Sequence, residues 1–484
     1  MKKAFALTVL MLILALSGVG LWVGSVYAAR DQIVITERVA DGDRSAADGV
    51  VISTNNTYND HLYWQIRHKI GAQEDQTTTE YEFYAMGKDI SYAFEPDGVL
   101  LENYSVYGFD EKEENPIGLA VAYKELYDSL EPGEEGTRIV KLRDYLEYYP
   151  VQVTLDLPGA EYIYCSEEER IAERSSELDE TSALFAAMYL QEYFRIPVME
   201  EEQVEIQIGK SAVSSRGETA ETSSIGSASL DDGFTLITQS AIGDEVCYFT
   251  FNTYSFQGKV VDTSKIAGGY GIYALPYSAA SKDGAGYDIR NLANVYPMDP
   301  ETYVIDLLLS NDQTRLLLHT VEDGQYVITV IDIETMEAVQ KLIVCEWDDS
   351  YGWYLYEGED YFCILLSGEE EVIAVISETE GGQYQTDFAV KTDPGYGYIE
   401  SADYDGEKLV LANYYGYGYS TSYYVAVFDA SGLLYFGEYD TSLSVENQTA
   451  SSYVGSQKQA VYYESTMQGC EQVWQNPIKV EWEE

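Results

Sequence analysis

Positive charge is scarce in this chain. Twenty-eight Lys and Arg stand against 83 Asp and Glu, a net charge of −55, or −57 once Lys2 and Lys3 are set aside with the N-terminal segment. Nucleic acid and anionic lipid surfaces are expected to be poor partners, and no nucleic acid partner is assigned, because association would bring like charges together. Histidine is rarer still: His61, His68 and His319 are too few and too scattered to build a shared metal site. Five cysteines, Cys165, Cys247, Cys345, Cys363 and Cys470, are odd in number and widely spaced. They form no CxxC pair and no disulfide scaffold, which leaves five thiols or one bridge such as Cys345–Cys363. Catalytic motifs are missing as well. There is no GxSxG or SxxK for a serine nucleophile, and Ile208-Gly209-Lys210-Ser211 lacks the earlier glycine of a phosphate loop. Asp41-Gly42-Asp43-Arg44-Ser45 opens like a calcium loop, but Ala46 and Ile52 occupy the places that need Gly and Glu. A turn before a strand fits it better. No catalytic residue, metal ligand or cofactor is assigned.

Apolar residues make up 46% of the 484, enough for a sizeable core. Tyrosine dominates the aromatics, with 45 against 14 Phe and 6 Trp. Its flat apolar ring and hydrogen-bonding tip suit half-buried strands and wet binding surfaces alike. At the N-terminus, Met1-Lys2-Lys3 precedes an uncharged run from Ala4 to Ala29. Two lysines before an apolar run are the leading parts of an export signal and keep that end cytoplasmic. The run is as long as the roughly 20 residues needed to cross a bilayer, so residues 4–26 are expected to stay as a transmembrane anchor. Cleavage after Ala28, following Val26-Tyr27-Ala28, is the alternative and would leave a secreted protein. No cysteine lies near for lipid attachment. In either case the chain from Arg30 onward is expected outside the cell membrane.

The C-terminal half repeats. Val304 to Leu309, Arg315 to His319, Tyr326 to Ile333 and Ala338 to Val344 read as strands punctuated by Asn311-Asp312, Glu322-Asp323-Gly324 and Glu334-Thr335. Four strands in about 45 residues make one antiparallel meander the size of a propeller blade. The turn before the second strand returns at Asp312, Glu359, Asp405 and Gln457, in steps of 47, 46 and 52 residues. Upstream, strands are expected at His61 to Lys69, Glu80 to Ala85, Val99 to Tyr107, Phe234 to Ser240, Val246 to Thr253 and Gly271 to Pro276. Ser166 to Arg195 lacks Gly and Pro, pairs Ser166 with Glu169 as a capping box, and stops before Pro197, which predicts an inserted helix. Ser211 to Ser229 reads as a loop. The expected fold is mainly β: β-propeller-like repeats, seven or eight four-stranded blades, one inserted helix and the N-terminal transmembrane helix. Stacked β-sandwiches are the alternative. The divisions are 1–29 anchor, 30–165 N-terminal β region, 166–197 helix, 198–300 β region with the Ser/Gly-rich loop, and 301–484 four blades, the β regions together forming one propeller.

The leader, Gly42-Asp43-Arg44-Ser45-Ala46-Ala47-Asp48-Gly49, His61-Leu62-Tyr63-Trp64 and Gly271-Ile272-Tyr273-Ala274-Leu275-Pro276 together resemble a group of membrane-anchored proteins of Firmicutes. Val330-Ile331-Asp332-Ile333-Glu334-Thr335 resembles the outer-strand turn of many repeat propellers. The resemblance implies an extracytoplasmic location and no particular activity. One patch suggests binding. Asn413-Tyr414-Tyr415-Gly416-Tyr417-Gly418-Tyr419-Ser420, with Pro394-Gly395-Tyr396-Gly397-Tyr398 one strand earlier, sets flat rings between glycines. Tyr414, Tyr415, Tyr417 and Tyr419 could stack on a sugar or aromatic ligand, or pack on neighbouring sheets. The expected function is a membrane-anchored extracytoplasmic interaction protein for a protein, peptide or glycan, with a membrane protein as a further partner. A hydrolase or lyase using carboxylates at the propeller mouth is the alternative.

Overall fold

The computed structural model describes residues 2–29, 34–58, 62–83, 96–103, 116, 118–165, 179–210, 227–229, 236–252, 260–441 (except 283, 359, 380, 393, 394, 396, 397 and 415–421) and 478–483. The chain is mainly β and divides into two compact units, residues 1–92 with 348–484, and residues 93–347.

Among the described residues the first unit holds helix α1 (Lys2–Ala29) and three antiparallel sheets. One sheet is a four-strand meander of β19 (Gly352–Glu357), β20 (Tyr361–Ser367), β21 (Glu371–Glu378) and β22 (Tyr384–Thr392). The next is β23 (Ser401–Tyr404), β24 (Leu409–Tyr414), β25 (Tyr423–Asp429) and β26 (Gly432–Thr441), to which β1 (Ile35–Gly42) adds as a fifth strand beside β26. The third joins β2 (Val50–Tyr58), β3 (Leu62–Lys69) and β4 (Gln76–Phe83) to β27 (Lys479–Trp482). Each end of the chain therefore donates a strand to a sheet built by the other end.

Packing explains the unbroken apolar runs of these strands. Successive side chains alternate between faces, and here both faces are covered. Val410, Val425 and Val427 join the core shared with Val50, Ile52 and Val480. Their neighbours Leu409, Leu411, Ala426 and Phe428 join the core shared with Leu365, Ile373 and Val375. Gly42, with φ +82°, takes β1 out of its sheet where a Cβ would fall 2.2 Å from the Leu434 carbonyl oxygen, so no other residue fits.

Among the described residues the second unit contains four sheets. Two are meanders: β11 (Thr238–Ile242), β12 (Val246–Phe251), β13 (Gly271–Pro276) and β14 (Ala293–Pro297); then β15 (Tyr303–Leu309), β16 (Arg315–Glu322), β17 (Gln325–Asp332) and β18 (Glu337–Glu346). The other two are three-stranded, β5 (Gly98–Asn103) with β7 (Val151–Asp156) and β8 (Ile163–Cys165), and β6 (Glu135–Lys141) with β9 (Gln203–Gly209) and β10 (Ser227–Ser229). Asp323 (φ +50°) and Gly324 (φ +74°) close the two-residue β16–β17 hairpin, the left-handed pair such a turn requires. Among the described residues two α-helices pack on this unit, α2 (Leu119–Ser129) and α3 (Ala183–Tyr193).

Neighbouring sheets are stitched by side chains that imitate a strand. Thr238 accepts a hydrogen bond from the Leu101 amide (2.8 Å) and donates to the Leu101 carbonyl (2.9 Å), and Ser240 does the same for Val99 (3.2 and 2.9 Å). Asn252, buried, donates to the Val304 carbonyl (2.7 Å) and accepts from its amide (3.1 Å). Replacing Asn252 by leucine leaves both Val304 groups unpaired. At about 1–3 kcal/mol for each orphaned group, the Val304 amide should exchange with solvent on the order of a hundredfold faster. Unchanged exchange would mean that the amide bridge carries no load.

The structure revises several sequence expectations. The helix expected over 166–197 is described for Ala183–Tyr193, where Ser182 caps it by accepting from the Phe185 amide (3.1 Å). Residues 179–182 form a turn instead, because Asp179 binds the Thr181 amide and hydroxyl, a local alternative to helix. Ser166 and Glu169 lie outside the described residues. Helix α2 was not anticipated within 30–165, although Leu119, Ala122, Tyr123 and Leu126 carry helical spacing. Three repeats of 301–484 form sheets at the expected turns. Of the fourth, residues 457–477 lie outside the described residues; its described strand, β27, pairs with β2, a distant edge that hairpin spacing does not specify. Among the described residues no helix is long and apolar enough to cross a membrane. Side chains of α1 are described over 5–21, seventeen residues or about 25 Å of helix against a hydrocarbon layer of about 30 Å. Those side chains are exposed and apolar, among them Phe5, Leu10, Leu12, Leu14 and Leu21.

Candidate functional site

Of the four nominated tyrosines, Tyr414 is described and Tyr415, Tyr417 and Tyr419 lie outside the described residues. Tyr414 ends β24 half-buried against the first unit's core, and its amide donates to Glu400 Oε2 (3.3 Å). The two glycine–tyrosine segments do meet. Asn413 accepts from the Glu400 amide (2.7 Å), and its side-chain amide donates to the Tyr398 carbonyl and to the Tyr424 hydroxyl (2.6 Å). Tyr354 lies with its ring centroid 6.4 Å from that of Tyr398, both exposed.

Glu400 also accepts from the Ile478 amide (3.3 Å). Burial pushes its carboxyl above the ordinary glutamate range, and the two backbone donors pull against that rise. Further along, Ser401 accepts from the Val480 amide (2.9 Å) and Asp403 from the Trp482 amide (2.6 Å). Three successive acceptors thus grip the edge of β27 that β2 does not use. Glu400 is a strand clasp beside the tyrosines, and its place directly after the uncharged run Pro394 to Ile399 is the sequence signal for it.

A second polar cluster spans the five-stranded sheet and the β2–β4 sheet. Arg44 pairs with Glu37 and with Asp75, and its Nε donates to the Gly71 carbonyl (3.1 Å). Buried His68 places Nδ1 2.5 Å from the Tyr423 hydroxyl; its Nε2 lies 3.2 Å from Asp75 Oδ2, off the line of a good hydrogen bond. Tyr435 donates to Glu37 (2.6 Å) and lies 2.6 Å from the Tyr439 hydroxyl. Burial alone would raise the Asp75 carboxyl. Contacts from His68 and Arg44 outweigh it and hold that group well below the usual carboxylate range. Tyr423 and Tyr439 are pushed up, first by burial. An Asp–His–Tyr chain of this kind could relay a proton, but Tyr423 is 1% exposed, so no substrate reaches its hydroxyl. The cluster holds the two sheets together.

The second unit carries an open cleft of about 470 Å³ between the end of β14 and one face of β16–β18, lined by Tyr296, Met298, Leu318, Thr320, Thr329 and Lys341 among others. Lys341 pairs with Glu322 there, and Asp299 lines the cleft as a further acid. Among the described residues no three His, Cys, Asp or Glu side chains come together as metal ligands. Cys345 and Cys363 are unbridged, as are Cys165 and Cys247; Cys470 lies outside the described residues. Asp43 caps a turn by accepting from the Ser45 amide and hydroxyl (2.9 and 2.7 Å).

These features define a mainly-β protein of antiparallel sheets, many of them four-stranded, with structural polar clusters joining sheets. No protein-family model and no curated protein matches the chain. Among solved structures it is similar to the WD40 domain of SCAP from fission yeast, at 6% identity and TM-score 0.23 over 84% of this chain and 74% of that one. An uncharacterized protein of Listeria monocytogenes EGD-e aligns at 8% identity and TM-score 0.22 over 84% and 83%, and S. cerevisiae core factor at 9% and 0.21 over 91% and 67%. TM-scores of this size establish no shared arrangement of the whole chain.

Proposed function

We propose that the protein is a membrane-anchored interaction protein whose β body, a propeller-like series of blades, is displayed outside the cytoplasmic membrane and binds a protein, peptide or glycan. The observation that carries this reading is α1, a helix whose described side chains are apolar and exposed, joined to β1 by only five residues. Such a helix loses free energy in water, on the order of 25 cal/mol for each Å² of apolar surface left uncovered, and Lys2 and Lys3 orient it with the start inside. The strongly negative body supports display over binding to anionic surfaces. Full-length protein expressed with a C-terminal tag should stay in membranes through an alkaline carbonate wash and be open to protease added outside. Leu12→Arg with Leu14→Arg should release more than half of it into the wash. Recovery of the unmutated chain in the soluble fraction sinks the anchor. Saturable retention on a glycan or peptide array is the expected mark of the binding role, and a flat response on both arrays counts against it.

A further inference from the structure

The cleft of the second unit lies between two antiparallel sheets. Its floor is one face of the β15–β18 sheet, where a cross-strand row runs from Leu318 through Thr329 to Lys341. Its opposite wall is the chain from Tyr296 to Thr302, which ends β14 and leads into β15. A bulge in β18 skips Val339, since Val330 faces Gln340 and Ile331 faces Ala338. Bulges re-aim side chains and recur beside active sites. Val339 lines the cleft and is 57% exposed, with Met298 and Leu318 as further apolar surface.

Polar groups around that surface are unspent. Thr329 is only 6% exposed, yet among the described residues its hydroxyl has no hydrogen-bond partner. The hydroxyls of Tyr296 and Thr302, also in the lining, have none there either. Buried hydroxyls are normally paired, so these three await water or a ligand.

Charge decides which ligand. Glu322 is committed twice, accepting from Thr320 (3.2 Å) and pairing with Lys341. Asp299 is unmatched: it accepts from the Glu301 amide (3.0 Å), and among the described residues no Lys or Arg pairs with it. The lining thus holds one acid more than it has bases, in a chain whose net charge is −55. An anion would meet repulsion from both. A neutral sugar would use the hydroxyls and leave Asp299 unanswered. A long basic side chain uses everything present. Its stem lies on Leu318, Met298 and Val339, its charge answers Asp299, and its N–H groups reach the hydroxyl oxygens. Arginine suits the lining better than lysine, because its fork offers five donors to scattered acceptors and its plane stacks on a ring such as Tyr296. The cleft's volume of about 470 Å³ is that of a small-ligand site, enough for one such side chain and its adjoining backbone.

We propose that this cleft binds an arginine side chain on an extended peptide segment of a partner protein. The proposal rests on the interaction reading given above and names the chemistry of the partner.

The test uses full-length protein in detergent at about 0.15 M salt, and fluorescent blocked heptapeptides that differ only in a central arginine, citrulline or glutamate. Anisotropy reads binding. Citrulline keeps the shape without the charge and should bind about tenfold more weakly than arginine. Asp299→Asn still accepts from the Glu301 amide and should weaken the arginine peptide by a similar factor. Thr329→Val should weaken it roughly three- to fivefold. Lys341→Gln removes the competing base and should strengthen it roughly two- to fivefold. Glu135→Gln takes away an acid outside the cleft lining and should change it less than about twofold. If the arginine peptide binds no better than citrulline, or Asp299→Asn costs no more than Glu135→Gln, the assignment is overturned while binding elsewhere stands. A preference for the glutamate peptide that Lys341→Gln abolishes makes this an anion site, and also overturns it. Retention of a glycan that Thr329→Val removes gives the cleft to sugar instead. Should peptides and glycans alike fail to bind, the interaction reading itself has failed and this inference falls with it.

Discussion

Arg44→Ala is expected to lower the thermal midpoint of the first unit by roughly 6–12 °C. Arg44 answers both Glu37 and Asp75, each about four-fifths buried, and removing it leaves two carboxylates facing one another. Breaking a buried ion pair from one side costs about 3–5 kcal/mol. Partial exposure puts this cluster at the lower figure, and about 3 kcal/mol shifts a unit of this size by about 2–4 °C per kcal/mol. Arg44→Lys keeps the charge but cannot reach Glu37, Asp75 and the Gly71 carbonyl together, so it should recover only part of the loss. The pH dependence identifies the cause. Asp75 has a folded-state pKa held low, so its stabilisation is complete above the unfolded value near 4 and fades as pH falls through the folded one. In Arg44→Ala the carboxylates repel, and acid relieves them. The gap between variant and wild type should narrow below about pH 4. A midpoint within 2 °C of wild type at neutral pH would show that water replaces the guanidinium without cost.

How much of this was legible beforehand depends on the range of the interaction. Strands separated by short turns were readable because the signals are local. Asp323-Gly324 supplies the two left-handed positions that a tight hairpin needs, and Gly271 to Pro276 is a strand with the expected bounds. The repeat positions Asp312 and Asp405 mark the same turn in two sheets, and Glu359 lies outside the described residues. Long-range pairing was not readable. Nothing within 479–482 says that it completes a sheet with 50–53, and nothing within 35–42 says that it joins 432–441. The site was legible only in part. The two tyrosine segments were expected one strand apart and do meet through Asn413. The acids that matter most, Asp75 among 83 and Glu400 beside the tyrosines, are singled out by burial and partners, which composition cannot supply. His68 and His319 were set aside as too few for a metal, and both prove to be buried against a tyrosine hydroxyl.

Acidification from pH 6.5 to pH 5 should destabilise the second unit through His319 by about 2 kcal/mol. His319 sits on β16, fully buried, with Nδ1 2.7 Å from the Tyr326 hydroxyl. Burial pushes its pKa down to about 3, because the imidazolium would lose its hydration there. The folded state thus binds this proton less readily than the unfolded chain, whose histidine titrates near 6.5. Stability is complete above that value and falls as pH drops toward 3. Asp306, opposite His319 on β15, works in the other direction. Burial raises its carboxyl, and the Leu307 amide opposes that rise only in part. The folded state therefore gains a proton there before the unfolded state does, and it offsets part of the histidine's loss at the acid end. His319→Gln keeps an acceptor for Tyr326 and removes the titration, so its urea midpoint should stay level between pH 6.5 and 5 while the wild-type midpoint falls. Asp306→Asn should leave the histidine's fall in place and deepen it as pH drops from the raised folded-state value of the carboxyl toward the unfolded value near 4. Parallel curves for His319→Gln and wild type would place the acid sensitivity elsewhere in the unit.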